Sequence, residues 1–335
     1  MASQTNAPLP DGLEIGGYRI LRKIASGGFS IVYLADDPEG QLYALKEYLP
    51  AGLVHRAEGE RTPAIPTENL ITYRNGLKCF FEEGRALARI FHPNVVRVVN
   101  FFRANETVYM VMAYERGRSL QEVILRRRAR QDRVVVEERH IRRIFDQVMQ
   151  GLREVHANRL LHLDLKPANV YLRFDGTPLL LDFGAARQTL TQDAPRLFPM
   201  YTPGFAAPEL YRRQASLGPW TDIYGIGASI FACMFGAPPQ PADQRQASDR
   251  VPELLEGVGG VYSAPLVDMV RWCLQLDPLV RPQSVFSVQR TLRATGDAPS
   301  TPRSSGLSRW FDTIAGHFGA RPRDADAPDT LTPRE

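Results

Sequence analysis

The sequence predicts an α+β fold in two parts: a small antiparallel β-sheet carrying one helix, then a larger, mainly helical part. Three observations point there. Tyr18 to Ala35 alternates along its length and is β-branched about a Ser-Gly-Gly-Phe-Ser turn, the pattern of a hairpin. From Ser119 the period becomes helical, with Ile141, Ile144, Phe145, Val148, Met149 and Leu152 forming one apolar stripe. At about Thr295 the composition shifts to Pro, Ser, Thr, Asp and Arg, as in a linker or tail.

Leu42 to Glu47 reads as a third strand, and residues 50–76, polar and rich in Pro, Gly and Thr, as a long loop. Leu77 to Phe91 has Phe80, Phe81, Leu87 and Ile90 at helical spacing, and His92-Pro93-Asn94 stops that helix. Val95 to Phe102 and Thr107 to Tyr114 give two further strands, and helices dominate again after Ala207. Ile223 to Ala237, bounded by Asp222 and Pro238, is the most apolar stretch. It falls short of the ~20 residues that span a bilayer and predicts a buried helix. The chain therefore divides into an extension at 1–17, a folded domain at 18–293 with an internal boundary near 114/115, and a tail at 294–335. Within the tail, Leu307, Trp310, Phe311, Ile314 and Phe318 share one helical face.

Of 335 residues, 44% are hydrophobic and 23% charged, which reads as a soluble globular chain. A net charge of +4 over this length is no nucleic-acid signature. Cys79, Cys233 and Cys273 show no paired spacing and suggest a reducing compartment with no cysteine metal site. Met1 to Pro10 lacks a basic region followed by an apolar core. With no spanning segment either, the expectation is a cytoplasmic chain.

The chemistry concentrates in His162-Leu163-Asp164-Leu165-Lys166-Pro167-Ala168-Asn169 and, after an apolar run, Asp182-Phe183-Gly184. Phosphoryl transfer from ATP needs such a set: one carboxylate to orient the attacking hydroxyl, another to hold Mg²⁺, an amide oxygen for a second metal, and a lysine against phosphate charge. These segments resemble the catalytic and metal-binding loops of eukaryotic-like serine/threonine protein kinases of the bacterial type, over about Tyr18 to Leu292. The resemblance implies a bilobal protein kinase fold and an ATP-dependent enzyme using Mg²⁺, with Mn²⁺ as a substitute, that phosphorylates serine and threonine of proteins and itself.

Residue by residue, the resemblance makes Asp164 the catalytic base, Lys166 the stabiliser of the transferring group, and Asn169 and Asp182 the metal ligands. Ile24, Ala25, Ser26, Gly27, Gly28, Phe29 and Val32 match the glycine-rich loop over the phosphates; an ordinary hairpin turn is the other reading of that segment alone. Ala44 and Lys46 match the strand whose lysine meets the phosphates. Glu83 matches its helical partner, with Glu82 as local competitor. Met112 would sit behind the adenine, with Ala113, Tyr114 and Glu115 offering backbone groups. Glu209 would pair with Arg281, and Asp222 would cap the central helix and bond the catalytic-loop backbone.

Ala25, Ser30 and Leu163 depart from the family pattern, as does Ala113. Leu163 replaces an arginine that pairs with a phosphorylated activation loop, so loop phosphorylation should matter less here. A pseudokinase scaffold and a small-molecule kinase stand as alternatives. Lys46, Glu83, Asp164, Lys166, Asn169 and Asp182 speak against the first, and the peptide-platform segment Thr202-Pro203-Gly204-Phe205 against the second. Arg126, Arg127, Arg128, Arg130 and Arg133 read as a solvated loop or as docking for an acidic partner. The apolar face at 307–318 reads as packing on the large lobe, as a partner or membrane-surface helix, or as disordered tail.

Overall fold

The computed structural model describes residues 5–130, 135–183, 187–188, 201–212 and 214–294. Its small lobe is a six-stranded antiparallel sheet of β1 (Glu14–Ile15), β2 (Tyr18–Gly27), β3 (Ser30–Asp36), β4 (Leu42–Tyr48), β5 (Val98–Ala104) and β6 (Thr107–Ala113), in the order β1-β2-β3-β4-β6-β5. The period-2 pattern decides its faces. The register pairs Ile31 with Glu47, Tyr33 with Leu45, and Glu47 with Tyr109, which sets these side chains on one face. It sets Ala25, Val32, Lys46 and Met110 on the other, with Ala44 beside Met112.

Helix α1 (Leu70–Leu87) packs on this sheet. It begins seven residues before the sequence-based start and ends before His92-Pro93, so the long loop is shorter than its composition suggests. Tertiary packing is the cause. Tyr73, Gly76, Phe80, Glu83, Gly84 and Leu87 form its buried face. A Cβ at Gly76 would overlap the Tyr48 hydroxyl, and one at Gly84 the Phe101 ring. The glycines that look like loop signals thus let the helix approach the strands closely. Of the expected extension at 1–17, the described residues 5–17 belong to the lobe: Leu9 is buried, and β1 pairs with β2.

Beyond the connection at 114–116, the large lobe opens with β7 (Gly117–Ser119) and α2 (Leu120–Ala129), whose cap is Ser119 accepting from the Glu122 amide at 3.2 Å. Arg126, Arg127 and Arg128 therefore lie in the last turn of a helix, where cations suit the helix dipole, and not in a loop. Arg133 lies outside the described residues. The lobe continues with α3 (Glu138–Ala157), β8 (Leu160–Leu161), β9 (Val170–Arg173), β10 (Pro178–Leu180), β11 (Arg187–Gln188), α4 (Pro219–Phe235), α5 (Ala242–Arg245), α6 (Val251–Gly257), α7 (Ala264–Cys273) and α8 (Val285–Ala294). The stripe of α3 is buried as predicted, and every residue of α4 from Thr221 to Phe235 is buried. The proposed helix at 307–318 lies outside the described residues. Among the described residues no helix is long and apolar enough to cross a membrane.

The lobes are stitched at residues 93–96. Val96 N donates to Leu180 O at 3.0 Å and Leu180 N to Asn94 O at 2.9 Å. Asn94 Nδ2 donates to Pro178 O at 2.7 Å, and Arg173 Nη1 to Pro93 O at 2.9 Å.

Candidate active site

The two chemistry-bearing loops hang from β8, β9 and β10, and Asp222 of α4 sets their shape. Its Oδ2 accepts from His162 N at 2.9 Å and its Oδ1 from Leu163 N at 2.7 Å, while His156 Nε2 lies 2.8 Å from Oδ2. Burial alone would raise this carboxyl; the bond and charge of His156 and the loop amide hold it below its usual value instead. Asp222 does not cap α4, since the cap position is Gly218. The sequence-based expectation of a backbone tie is met; that of a cap is not. Leu163 takes φ +62°, a left-handed conformation costly for leucine, and Asp222 fixes it there. The His162 ring packs at a tilt of 39° against Phe183, with centroids 4.5 Å apart, and lies 3.1 Å through Nε2 from Leu181 O, which joins the two loops.

Asp164 sits in a ring of polar contacts. Lys166 Nζ donates to its Oδ2 at 2.6 Å, and Asn169 Nδ2 to its carbonyl at 2.9 Å. The Thr202 hydroxyl donates to Oδ1 at 2.9 Å and accepts from Lys166 Nζ at 2.7 Å. From the sequence, Thr202 enters only as the first residue of the peptide-platform segment. The structure makes it a third corner of the Asp164–Lys166 pair, contributed from the start of the segment 201–209. That segment ends on Glu209, which accepts from Arg281 at 2.9 and 2.6 Å in a buried bidentate pair.

Above them, Lys46 of β4 is buried and bonds Asp182 Oδ1 at 2.5 Å. Among the described residues it makes no ion pair with Glu83, contrary to the expected partnership. Burial works against the lysine charge, but Asp182 and then Glu83 outweigh it and raise its pKa. Glu83 does face this centre from α1, yet its Oε1 is buried with no hydrogen-bond partner among the described residues. Burial pushes its carboxyl up to about 8, against the pull of Lys46. Asp182, at φ +54°, has taken the lysine that Glu83 would neutralise.

The glycine-rich segment is hairpin β2–β3 with its turn at Gly28-Phe29, and Phe29 is exposed at the tip. Ala25, Val32, Ala44, Lys46 and Met112 share the sheet face described above, Ile24 falls at a register shift between Lys23 and Ala25, and Ser26 and Gly27 close the ladder. Tyr114 follows β6, half-buried in the connection between lobes.

The donor set suits a hard divalent cation. Asp182 offers a carboxylate and Asn169 an amide oxygen whose own N–H₂ is turned to Asp164. Among the described residues no group of three or more His, Cys, Asp or Glu could hold a metal by itself. Mg²⁺ is commonly held by one or two protein oxygens with substrate phosphates and water completing the shell, so the residues fit.

The protein kinase domain model matches residues 18–291. The chain is 31% identical over 224 residues to CBL-interacting protein kinase 4 of Oryza sativa subsp. japonica, covering 66% of this chain and 45% of that one. It is 26% identical over 267 residues to serine/threonine-protein kinase PAK 1 of Mus musculus, covering 78% of this chain and 43% of that one. It thus spans less than half the length of these relatives. The solved apo form of PpkA-294 superposes with a TM-score of 0.73 at 31% identity, over 85% of this chain and 99% of that one. The chain belongs to the protein kinase domain family, in its eukaryotic-like serine/threonine branch.

Proposed function

We propose that the chain is an active serine/threonine protein kinase that transfers the γ-phosphoryl group of ATP, with Mg²⁺, to protein hydroxyls, its own included. The observation that carries this is the joined set Asp164–Lys166–Thr202–Asn169 beneath Lys46–Asp182. Asp164 orients the substrate hydroxyl and takes its proton as the new P–O bond forms; the bond to the β–γ bridging oxygen breaks and ADP leaves with the electron pair. Lys166 and Lys46 balance charge on the phosphoryl oxygens. Asn169 and Asp182 would hold Mg²⁺, which supplies charge neutralisation between the phosphates. Glu83 and Asp182 both face Lys46; with Asp182 committed to a metal, Lys46 would be left to Glu83 and to phosphate.

Thr202 contacts the reacting carboxylate, so its substitution reports catalysis and not loop phosphorylation. Thr189 and Thr191, outside the described residues, are the positions at which to test whether a chain with Leu163 runs without that switch. The deciding experiment supplies labelled ATP and Mg²⁺ to the full chain and to a basic protein substrate, beside Asp182→Asn. Label on serine or threonine that vanishes in the variant is expected. ATP binding without any label would make the chain a scaffold instead.

A further inference from the structure

The tip of the glycine-rich hairpin is held by more than its own ladder. Leu49 N donates to Phe29 O at 2.8 Å, and Ala51 N donates to Gly28 O at 2.8 Å. Both donors open the segment between β4 and α1. Pro50 to Leu53 is a turn closed by Leu53 N on Pro50 O at 3.0 Å, and His55 and Ala64 exchange backbone bonds of 3.0 and 2.8 Å. The segment is therefore folded back on itself. It also reaches the helix that carries Glu83: Asn69 Nδ2 donates to Leu53 O at 3.0 Å, and Leu53 and Val54 are buried.

Arg56 pins this segment to the sheet. Its side chain is fully buried and grips Glu47 with two nitrogens at 2.6 and 2.8 Å. The Tyr33 hydroxyl accepts from Arg56 Nη2 at 3.0 Å and donates to Glu47 Oε2 at 2.8 Å, while the Tyr109 hydroxyl donates to Glu47 Oε1 at 2.6 Å. The same arginine donates through Nε to Ala7 O at 2.8 Å, and its backbone N–H donates to Asn6 Oδ1 at 2.7 Å. Glu47 is the neighbour of Lys46 on β4 and points to the opposite face. A joining loop needs no buried ion pair, and such a pair adds little net stability over apolar packing. What it does fix is register and position.

The geometry points to residues 49–56 as a strap that sets the height of the glycine-rich turn above Lys46, with Arg56 as its positioning residue. Gripped from behind at Glu47, β4 presents Lys46 forward, and two backbone bonds from the same strap hold the turn that covers the phosphates. This rests on the ATP-binding half of the function proposed above.

Ala51→Pro tests it without touching the buried cluster. Ala51 is the second residue of the Pro50–Leu53 turn, where a proline φ fits, and the change deletes the N–H that bonds Gly28. Arg56→Met and Arg56→Lys are compared with it in the full chain. Three quantities are read: deuterium uptake of amides 26–30, affinity for labelled ATP with Mg²⁺, and the urea unfolding midpoint. In Ala51→Pro, faster uptake at the turn and ATP binding weakened about three- to tenfold are expected, as for one lost hydrogen bond, with the midpoint retained. Arg56→Met should do the same with a lowered midpoint, and Arg56→Lys should recover part of the affinity.

Unchanged uptake and affinity in Ala51→Pro would overturn the strap and leave Arg56 a fold staple. If the arginine variants do not fold, the proline variant decides alone. A parent chain that binds ATP but transfers no phosphate would sink the kinase activity and not the strap, because uptake and affinity are read without transfer.

Discussion

Glu47 and Glu83 are both buried carboxylates of the small lobe, and they are finished to opposite degrees. Glu47 accepts from two arginine nitrogens and two tyrosine hydroxyls. Glu83 keeps an oxygen with no partner among the described residues, and burial pushes its carboxyl up to about 8. A buried charge that only holds structure is satisfied completely, because each missing bond costs desolvation. One that must change partners during a cycle is left incomplete. In the large lobe the difference is one of exposure: Glu209 is closed in a buried pair with Arg281, whereas Asp164, bonded by Lys166, Asn169 and Thr202, keeps a partly exposed carboxylate.

Substitutions can break that comparison or sharpen it. The largest effect should come from Asp164→Asn: phosphate transfer falls by about 10²–10⁴-fold, as for loss of a general base, while the unfolding midpoint barely moves. A midpoint that collapsed with activity would place Asp164 among the finished charges. Arg56→Met should act chiefly on stability, costing about 3–5 kcal/mol in urea unfolding by stranding Glu47, beside the modest loss of ATP affinity expected above. If Glu47→Leu combined with Arg56→Met does not restore part of that loss, the ion pair is not its source.

Thr202→Ala should lower kcat by roughly 10–100-fold, the cost of hydrogen bonds to charged groups, with Thr202→Ser near the parent. Equal loss in both would point to packing of the methyl group. A further effect is the pH slope of stability set by Glu83. Its folded pKa of about 8 exceeds the ordinary glutamate value of 4.5, so the folded chain holds the extra proton between those pH values. Stability from this group is full below 4.5 and is lost as pH rises through 8. Glu83→Gln should remove that slope, so that the variant gains on the parent as pH goes from 5 to 8. Parallel unfolding curves at the two pH values would mean Glu83 is charged throughout.

Much of the site was legible because its residues sit in short local runs, where spacing alone aligns them. Asp164, Lys166 and Asn169 fall within six positions, and the lysine strand follows directly on the hairpin in sequence. What sequence reasoning missed depends on long-range partners. Thr202 reaches Asp164 across 38 positions, and Asp182 takes Lys46 from Glu83 across 136. Arg56 was hidden inside a stretch that reads as loop, although an acidic residue on an apolar strand, Glu47, signals that some cation must meet it. The early start of α1 was masked by Gly76, whose missing side chain serves Tyr48 and not a turn. The cap assigned to Asp222 failed because the three residues before it already belong to the helix, freeing the carboxylate for the loop amides.

The stitch at residues 93–96 acts as a fulcrum. Backbone bonds to Leu180 and Asn94, with Arg173 on Pro93, fix the small lobe to the large one at the far end of α1 from its N-terminus. Any opening of the cleft must then rotate the small lobe about this point. The hairpin tip at Gly28-Phe29 lies on the opposite side of the sheet order from β5 and travels on the long arm of the lever. On that geometry a small tilt between the lobes would lift the hairpin tip further than the residues beside the stitch.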